Sequence, residues 1–170
     1  MTEVLSILTI IAQIEILILL VLWYQNRKKQ SKSFKKIVSY ADIYSFVLAL
    51  VSTLGSLYYS EIAHFTPCKL CWFQRILMYP LVIIIWVGMR NKDKNLSKYV
   101  LPLAGIGTLL AAYHYFAQIG VLPQTGCLAI GYSESCSKLF FMNFGYITIP
   151  MMSLTAFLFI FILQKLPRSK

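Results

Sequence analysis

The chain has 170 residues, of which 58% are hydrophobic and only 13% are charged. Because soluble domains carry about 25% charged residues, this composition excludes an ordinary soluble domain and indicates an integral membrane protein. The net charge of +10 is concentrated in a few segments, which argues against a basic surface that binds nucleic acid.

Five apolar segments each approach the ~20 residues that a helix needs to cross a bilayer. They cover approximately residues 4–23, 41–60, 72–89, 99–119 and 144–164. Helices are expected because lipid cannot satisfy backbone polar groups, and the alternating pattern of barrel strands is absent. The sequence therefore predicts an all-α, polytopic membrane helical bundle that forms a single domain over residues 1–170.

The first span is expected to be a retained transmembrane helix and not a cleaved signal peptide. It carries Glu3 where a signal peptide would be basic, and no small-residue cleavage site follows it. Gln13 and Glu15 lie near its middle, and ionisable residues inside a membrane are functional candidates. We expect Glu15 to face the interior of the bundle, either protonated or hydrogen-bonded.

The basic residues predict the topology. Thirteen of the 16 lysines and arginines lie between spans 1 and 2, between spans 3 and 4, or after span 5. This positive-inside pattern places the C-terminus in the cytoplasm and the N-terminus outside. The four cysteines, Cys68, Cys71, Cys127 and Cys136, then lie on the outer side, where disulfides persist.

The pair Cys68 and Cys71 sits at the start of span 3, where a helix N-terminus favours the reactive thiolate. Arg75 is four residues after Cys71 and shares its helix face, so it can stabilise a thiolate and donate hydrogen bonds to an acceptor's oxygen. Gln74 offers another donor. A lipid-soluble quinone fits an acceptor site at this depth, and no glycine-rich motif for a dinucleotide is present.

Spans 4 and 5 flank the second cysteine pair. Small residues along span 4 permit close helix packing. Near its outer end, Tyr113, His114, Tyr115 and Gln118 predict either a polar network in the core or part of a cofactor pocket. Cys127 and Cys136 follow in a loop rich in turn-forming residues, which suits exchange with a bulky protein partner.

Three sequence motifs resemble the DsbB/BdbC family of disulfide bond formation proteins. The strongest is the run from Pro67 to Pro80, PCKLCWFQRILMYP, and Tyr113–Tyr115 and Gly145–Pro150 support it. The resemblance covers about residues 40–164, a four-helix redox core, and leaves residues 1–26 as an extra N-terminal transmembrane helix.

The resemblance implies a quinone-dependent oxidase of the bacterial cytoplasmic membrane that reoxidises an extracytoplasmic, DsbA/BdbD-like thioredoxin-fold thiol oxidase. It implies that Cys71 and Arg75 face the quinone, menaquinone or ubiquinone. From the residues themselves we add Gln74 and His114 as candidates for binding the quinone. The resemblance also implies that Cys68 links Cys71 to the loop pair. Cys127 would then meet the partner and Cys136 would resolve the mixed disulfide.

Other readings of the cysteines are a membrane protein with two inert structural disulfides and a metal site built from all four thiols. The structural reading does not account for Arg75 beside Cys71, and the cysteine spacing is poor for a metal, so no metal is expected. A reductase that moves electrons in the opposite direction, like the vitamin K epoxide reductase group, remains a further alternative.

Overall fold

The computed structural model describes residues 2–26, 32–123, 136 and 138–167. Within these ranges the chain forms six α-helices, with a π-helical turn over Tyr58–Ile62 that continues the third. The helices are α1 (Thr2–Gln25), α2 (Lys32–Ser39), α3 (Ala41–Leu57), α4 (Lys69–Arg90), α5 (Leu96–Gln118) and α6 (Ile149–Lys165). The segments Thr2–Gln25, Ala41–Ile62, Lys69–Arg90 and Leu96–Gln118 are long and apolar enough to span a membrane, and α6 is a shorter apolar helix. The predicted helical membrane bundle is confirmed.

Helices α3 to α6 form a four-helix core, with α5 packed between α4 and α6. Its centre is made of fully buried aliphatic and aromatic side chains, among them Leu81, Ile85, Val100, Phe157 and Ile160. The predicted small residues of span 4 allow the closest approach. A Cβ atom at Gly107 would lie only 2.3 Å from the ring of Phe157, so only glycine lets α5 and α6 meet at this point.

Helix α1 packs against α6 on the outside of this core. Gln13 joins the two helices, because its side-chain nitrogen donates to Thr155 Oγ1 at 3.1 Å and its oxygen accepts from Tyr146 at 2.8 Å. Glu15 was expected to face the bundle, and this prediction is wrong: Glu15 is exposed. It follows Gln13 by two positions, which is about 200° around a helix, so a bonded Gln13 directs Glu15 to the opposite face.

The boundaries of the last span also differ from the prediction. A helix was expected from about residue 144, but α6 begins at Ile149. Phe144 and Gly145 have positive φ angles of 53° and 79°, and a bridge joins Asn143 to Ile147, so these residues form a turn. Pro150 then lies in the first turn of the helix, where its missing N–H is not needed.

Candidate redox site

Cys68 and Cys71 lie where the loop after α3 enters α4. Cys68 is the N-cap residue of this helix, and its sulfur accepts a hydrogen bond from the Cys71 backbone nitrogen at 3.3 Å. Both thiols are free, and their Sγ atoms are 2.9 Å apart. Cys68 is buried, with 4% of its surface exposed, whereas Cys71 is partly exposed. The helix start therefore holds the two sulfurs together but gives them different surroundings.

His114 and Gln74 form a hydrogen-bonded chain that ends on Cys68. The side-chain nitrogen of Gln74 lies 3.0 Å from Nδ1 of His114, and Nε2 of His114 lies 3.6 Å from Cys68 Sγ. Because an amide nitrogen only donates, Nδ1 must accept, and the neutral imidazole carries its proton on Nε2. That proton points at the Cys68 sulfur. Gln74 and His114 are both buried, so water does not compete for these bonds.

These contacts favour the thiolate form of Cys68. The hydrogen bond from the Cys71 thiol is the main cause, and the hydrogen bond from His114 adds to it, so together they hold the pKa of Cys68 well below its usual range. Burial acts in the opposite direction but is outweighed. Cys68 is therefore poised to act as an attacking or leaving thiolate.

Cys136 lies against this pair, although it is distant in sequence. It is 2% exposed and engaged in a disulfide, and Cys127 lies outside the described residues. The ligand atoms of Cys68, His114 and Cys136 all lie within 4.8 Å of one another. A metal could use these three donors only after Cys136 is reduced, because a ligating cysteine must be a thiolate. In the state described, the arrangement brings the sulfur of Cys136 close to that of Cys68.

A cavity of about 180 Å³ opens on the other side of Cys71. Cys71, Gln74 and Arg75 line it, as do residues of α1, α3 and α6. Most of the remaining wall is apolar, so the cavity combines a few polar groups with a mainly apolar surface. His114 does not line it and reaches this region only through its bond to Gln74. The cavity thus groups three of the four residues predicted to contact an acceptor.

The guanidinium of Arg75 is fixed by contacts that the sequence did not reveal. Its Nε donates to Ser56 Oγ at 2.9 Å, and one terminal nitrogen donates to the Ser56 carbonyl at 3.0 Å. Tyr79 also donates to Ser56 Oγ at 3.4 Å, and the Trp72 ring lies 5.3 Å from the guanidinium carbon. A serine next to Gly55 within an apolar span was the only sequence signal for this contact.

The other polar residues near the outer end of α5 hold loops. Tyr113 donates to the Pro123 carbonyl at 3.0 Å, Tyr115 to the Tyr146 carbonyl at 3.3 Å, and Gln118 to the Lys138 carbonyl at 3.3 Å. None of the three lines the cavity. The cluster is therefore divided: these three side chains bond to separate loop carbonyls, Tyr113 also packs against the buried group of Cys68, Leu70 and Cys136, and His114 bonds to Cys68.

Comparisons with known proteins agree on the kind of chemistry. The family model for "Disulfide bond formation protein DsbB" matches residues 41–165. Disulfide bond formation protein C of Bacillus subtilis is 46% identical over 123 residues, which are 69% of this chain and 85% of that protein. The SPbeta prophage-derived disulfide bond formation protein B of the same species is 45% identical, over 68% of this chain and 77% of that protein.

A third relative comes from another genus. A probable disulfide formation protein of Oceanobacillus iheyensis is 43% identical, over 71% of this chain and 83% of its own length. No solved structure matches the chain. The matched region spans α3 to α6 and includes both cysteine pairs, whereas the family model does not cover α1.

Proposed function

The chain belongs to the DsbB family of disulfide bond formation proteins, and we propose that it passes electrons from an extracytoplasmic thioredoxin-fold thiol oxidase to a membrane quinone. As a member of this family it is a membrane thiol-disulfide oxidoreductase. The observation that carries the finer proposal is the position of Cys71. This thiol touches Cys68 on one side and lines the cavity on the other.

The cavity lining matches the polar and apolar parts of a quinone. A quinone ring carries two carbonyl oxygens that need donors, and its body and tail are apolar. Gln74 and Arg75 supply N–H donors next to Cys71, and leucines, a valine and methionines supply apolar wall. When bound, the quinone would accept two electrons and two protons. The planar guanidinium of Arg75 would hold the acceptor oxygen through its N–H donors.

Electrons would enter at the loop pair. A thiolate of the reduced partner attacks Cys127 in a Cys127–Cys136 disulfide and releases the Cys136 thiolate. Cys136 then attacks Cys68 in the Cys68–Cys71 disulfide, forming a Cys136–Cys68 bond and releasing the Cys71 thiolate at the cavity. The closeness of the Cys136 and Cys68 sulfurs, within 4.8 Å, supports this step.

The loop disulfide would then be restored. The second partner thiolate attacks the partner–Cys127 bond, the oxidised partner departs, and the freed Cys127 thiolate attacks Cys136. Cys68 leaves as a thiolate, which its low pKa and the Nε2 proton of His114 favour. The outcome is a closed loop pair and two free thiols at Cys68 and Cys71.

Placement in the membrane follows from the charge distribution and is part of the proposal. The basic segments would face the cytoplasm, and the cysteine end of the bundle would face outward, in the bacterial cytoplasmic membrane. That orientation gives a thioredoxin-fold partner outside the cell access to the loop pair.

The test uses the full-length protein in liposomes with a quinone and a reduced thioredoxin-fold oxidase. Quinone reduction is followed by absorbance, and we expect Cys71→Ser to abolish it. Arg75→Lys should retain the partner reaction but slow the quinone step, because a point charge cannot reproduce the guanidinium fork. Full turnover in Cys71→Ser would contradict the proposal.

A trapping experiment separates this function from a role as a protein with two inert disulfides. The trap keeps both loop cysteines and uses a reduced partner whose second cysteine is replaced by serine. Its remaining thiolate attacks Cys127 and releases Cys136, and no second partner thiolate is left to resolve the bond, so a mixed disulfide should accumulate and be visible without reducing agent. Cys127→Ser is the matched control and should give no such adduct through the loop. Absence of an adduct when both loop cysteines are present would favour the inert-disulfide interpretation.

A further inference from the structure

We propose that the cavity beside Cys71 opens sideways to the bilayer between α1 and α3, and that α1 forms the wall along which the isoprenoid tail of the quinone lies. The inference rests on the proposed function. It assigns a role to the helix that lies outside the family match, which begins at residue 41.

The first observation is the stripe that α1 presents to the cavity. Leu5, Leu8, Thr9 and Ala12 all line it. They recur at positions i, i+3, i+4 and i+7, which is one face of an α-helix. The stripe is apolar except for Thr9, whose hydroxyl donates a hydrogen bond to the Leu5 carbonyl at 2.8 Å. This face therefore offers no donor for a polar head group, but it suits a hydrocarbon chain.

The second observation is the exposure of residues on the two sides of the opening. Leu8 on α1 and Val51 on α3 both line the cavity, and yet 46% and 41% of their surfaces are exposed. Side chains that face both a cavity and the bundle surface mark its mouth. Because this surface belongs to the apolar, membrane-spanning part of both helices, the mouth faces lipid and not water.

The third observation is how α1 is held in place. Besides the bonds of Gln13, the side-chain nitrogen of Asn143 donates to Ser6 Oγ at 2.8 Å. Asn143 and Tyr146 belong to the turn before α6, so α1 is fastened to the segment that leads from the loop cysteines into the core. Where α1 passes α3, by contrast, a Cβ atom built on Gly55 would lie 3.5 Å from Leu5, an ordinary contact without hydrogen bonds. The α1–α3 side is thus the side that can admit a chain.

The polarity of the whole cavity sets the direction of the ligand. Its N–H donors, on Gln74 and Arg75, lie beside Cys71. Hydroxyl groups of α3 and α6, such as those of Ser52 and Ser153, also line the cavity, whereas the α1 stripe is apolar apart from the bonded hydroxyl of Thr9. A molecule with an oxygen-bearing ring and a hydrocarbon tail fits with its ring at Cys71 and its tail leaving past Leu8. A small polar acceptor would gain nothing from α1.

Photo-crosslinking tests this path independently of turnover. Two probes are used, one with a diazirine at the end of an isoprenoid tail and one with the diazirine on the quinone ring. Arg27 is the first basic residue, so trypsin releases α1 within a single peptide, residues 1–27. We expect the tail probe to label this peptide and the ring probe to label the peptide that contains Cys71.

A matched pair of variants locates the mouth. Leu8→Trp would fill it, whereas Leu17→Trp makes the same change at a residue of α1 that is 64% exposed and away from the cavity. We expect Leu8→Trp to lower labelling by the tail probe about tenfold, the scale of a methylene-sized misfit in an apolar pocket, and Leu17→Trp to leave it unchanged. Tail labelling confined to α4–α6, or equal labelling in the two variants, would overturn the inference.

Turnover with two acceptors separates this inference from the proposed function. We expect Leu8→Trp to raise the KM for a tailed quinone but not for the same ring without a tail. If the wild-type protein reduces neither quinone, the proposed function fails, whereas reduction of both with no selective effect of Leu8→Trp removes only the role of α1.

Discussion

Cys68 and Cys71 are separated by two residues, but their surroundings assign them different roles. Cys68 is buried against Cys136 and accepts a hydrogen bond from Nε2–H of His114. Cys71 instead lines the cavity together with Arg75. In the proposed function, Cys68 would receive electrons from Cys136, and Cys71 would pass them to the acceptor in the cavity. The spacing of the motif sets this division, because the N-cap position points out of the helix and the third helical residue lies on its side.

The state of Cys68 gives a pH-dependent prediction. In Cys71→Ser/Cys127→Ser/Cys136→Ser, Cys68 is the only thiol, and the introduced hydroxyl can still donate to it. Because the pKa is lowered in the folded protein, its modification by a small methanethiosulfonate should persist at pH values well below the ~8.5 of an ordinary cysteine. Adding His114→Leu should move the midpoint to higher pH. His64→Leu, a change at an exposed histidine in the preceding loop, is the control, and an equal shift in both would contradict the role of His114.

The anchoring of Arg75 gives a second prediction at this scale. Ser56→Ala removes the hydroxyl that accepts from Nε and should loosen the guanidinium. A hydrogen bond to a charged group contributes about 1.5–3 kcal/mol, so the KM for quinone should rise about tenfold with little change in the partner reaction. Thr53→Ala is the matched control, because Thr53 Oγ1 is buried on the same helix without a partner. A similar rise of KM in both variants would remove Ser56 from the site.

Among the elements, α5 links packing to the site. Its buried face carries Gly107 against Phe157 and, seven residues later, His114 at the cysteines. Seven residues are two helical turns, so the same packing that brings α5 against α6 also aims His114 toward the start of α4. A shift of α5 would therefore have two effects at once: it would weaken the packing of the bundle and displace the imidazole of His114.

This element gives a stability prediction. Gly107→Ala places a methyl group into the Phe157 ring and should destabilise the protein by about 1–3 kcal/mol, the usual range for overpacking. Gly105→Ala is the control, because its Cβ would meet Phe161 at 3.4 Å, and it should change the midpoint of thermal unfolding in detergent far less. Phe157→Leu combined with Gly107→Ala should recover part of the loss. Equal midpoints for the two single variants would show that the contact does not limit packing.

At the scale of the whole molecule, α1 is added to a four-helix core. Its residues nevertheless line the cavity of the candidate site. It touches α6 along its length and reaches the turn at Asn143–Tyr146 through hydrogen bonds. Inside a bundle surrounded by lipid, packing and such bonds hold helices together, because lipid tails are as apolar as the side chains.

The attachment of α1 can be measured by a double-mutant cycle. Gln13→Leu and Tyr146→Phe each remove one partner of the 2.8 Å hydrogen bond. The coupling free energy should be about 0.6 kcal/mol, the average for side-chain hydrogen bonds between membrane helices, measured from SDS-induced unfolding in mixed micelles. Additive effects of the two changes would mean that this bond does not contribute to the attachment of α1.

Much of the bundle could be predicted because a helix that crosses a bilayer needs a long apolar segment, and such segments are visible in the sequence. Long apolar runs, a Cys-x-x-Cys pair and a characteristic motif from Pro67 to Pro80 led to a helical membrane protein and to its family. The prediction failed at Glu15 and at the start of α6. Both failures concern rotation or local turns, which depend on neighbours and not on hydropathy.

The sequence by itself determined the class of fold and the family, because apolar length and the spacing of a short motif are local properties. Only the tertiary structure decided which groups meet: Cys136 with Cys68, His114 with Cys68 through the tautomer that Gln74 sets, and Ser56 with Arg75. It also brought α1 to the cavity. These pairings join residues far apart in the chain, and their geometry follows from how helices rotate and pack, which no local pattern encodes.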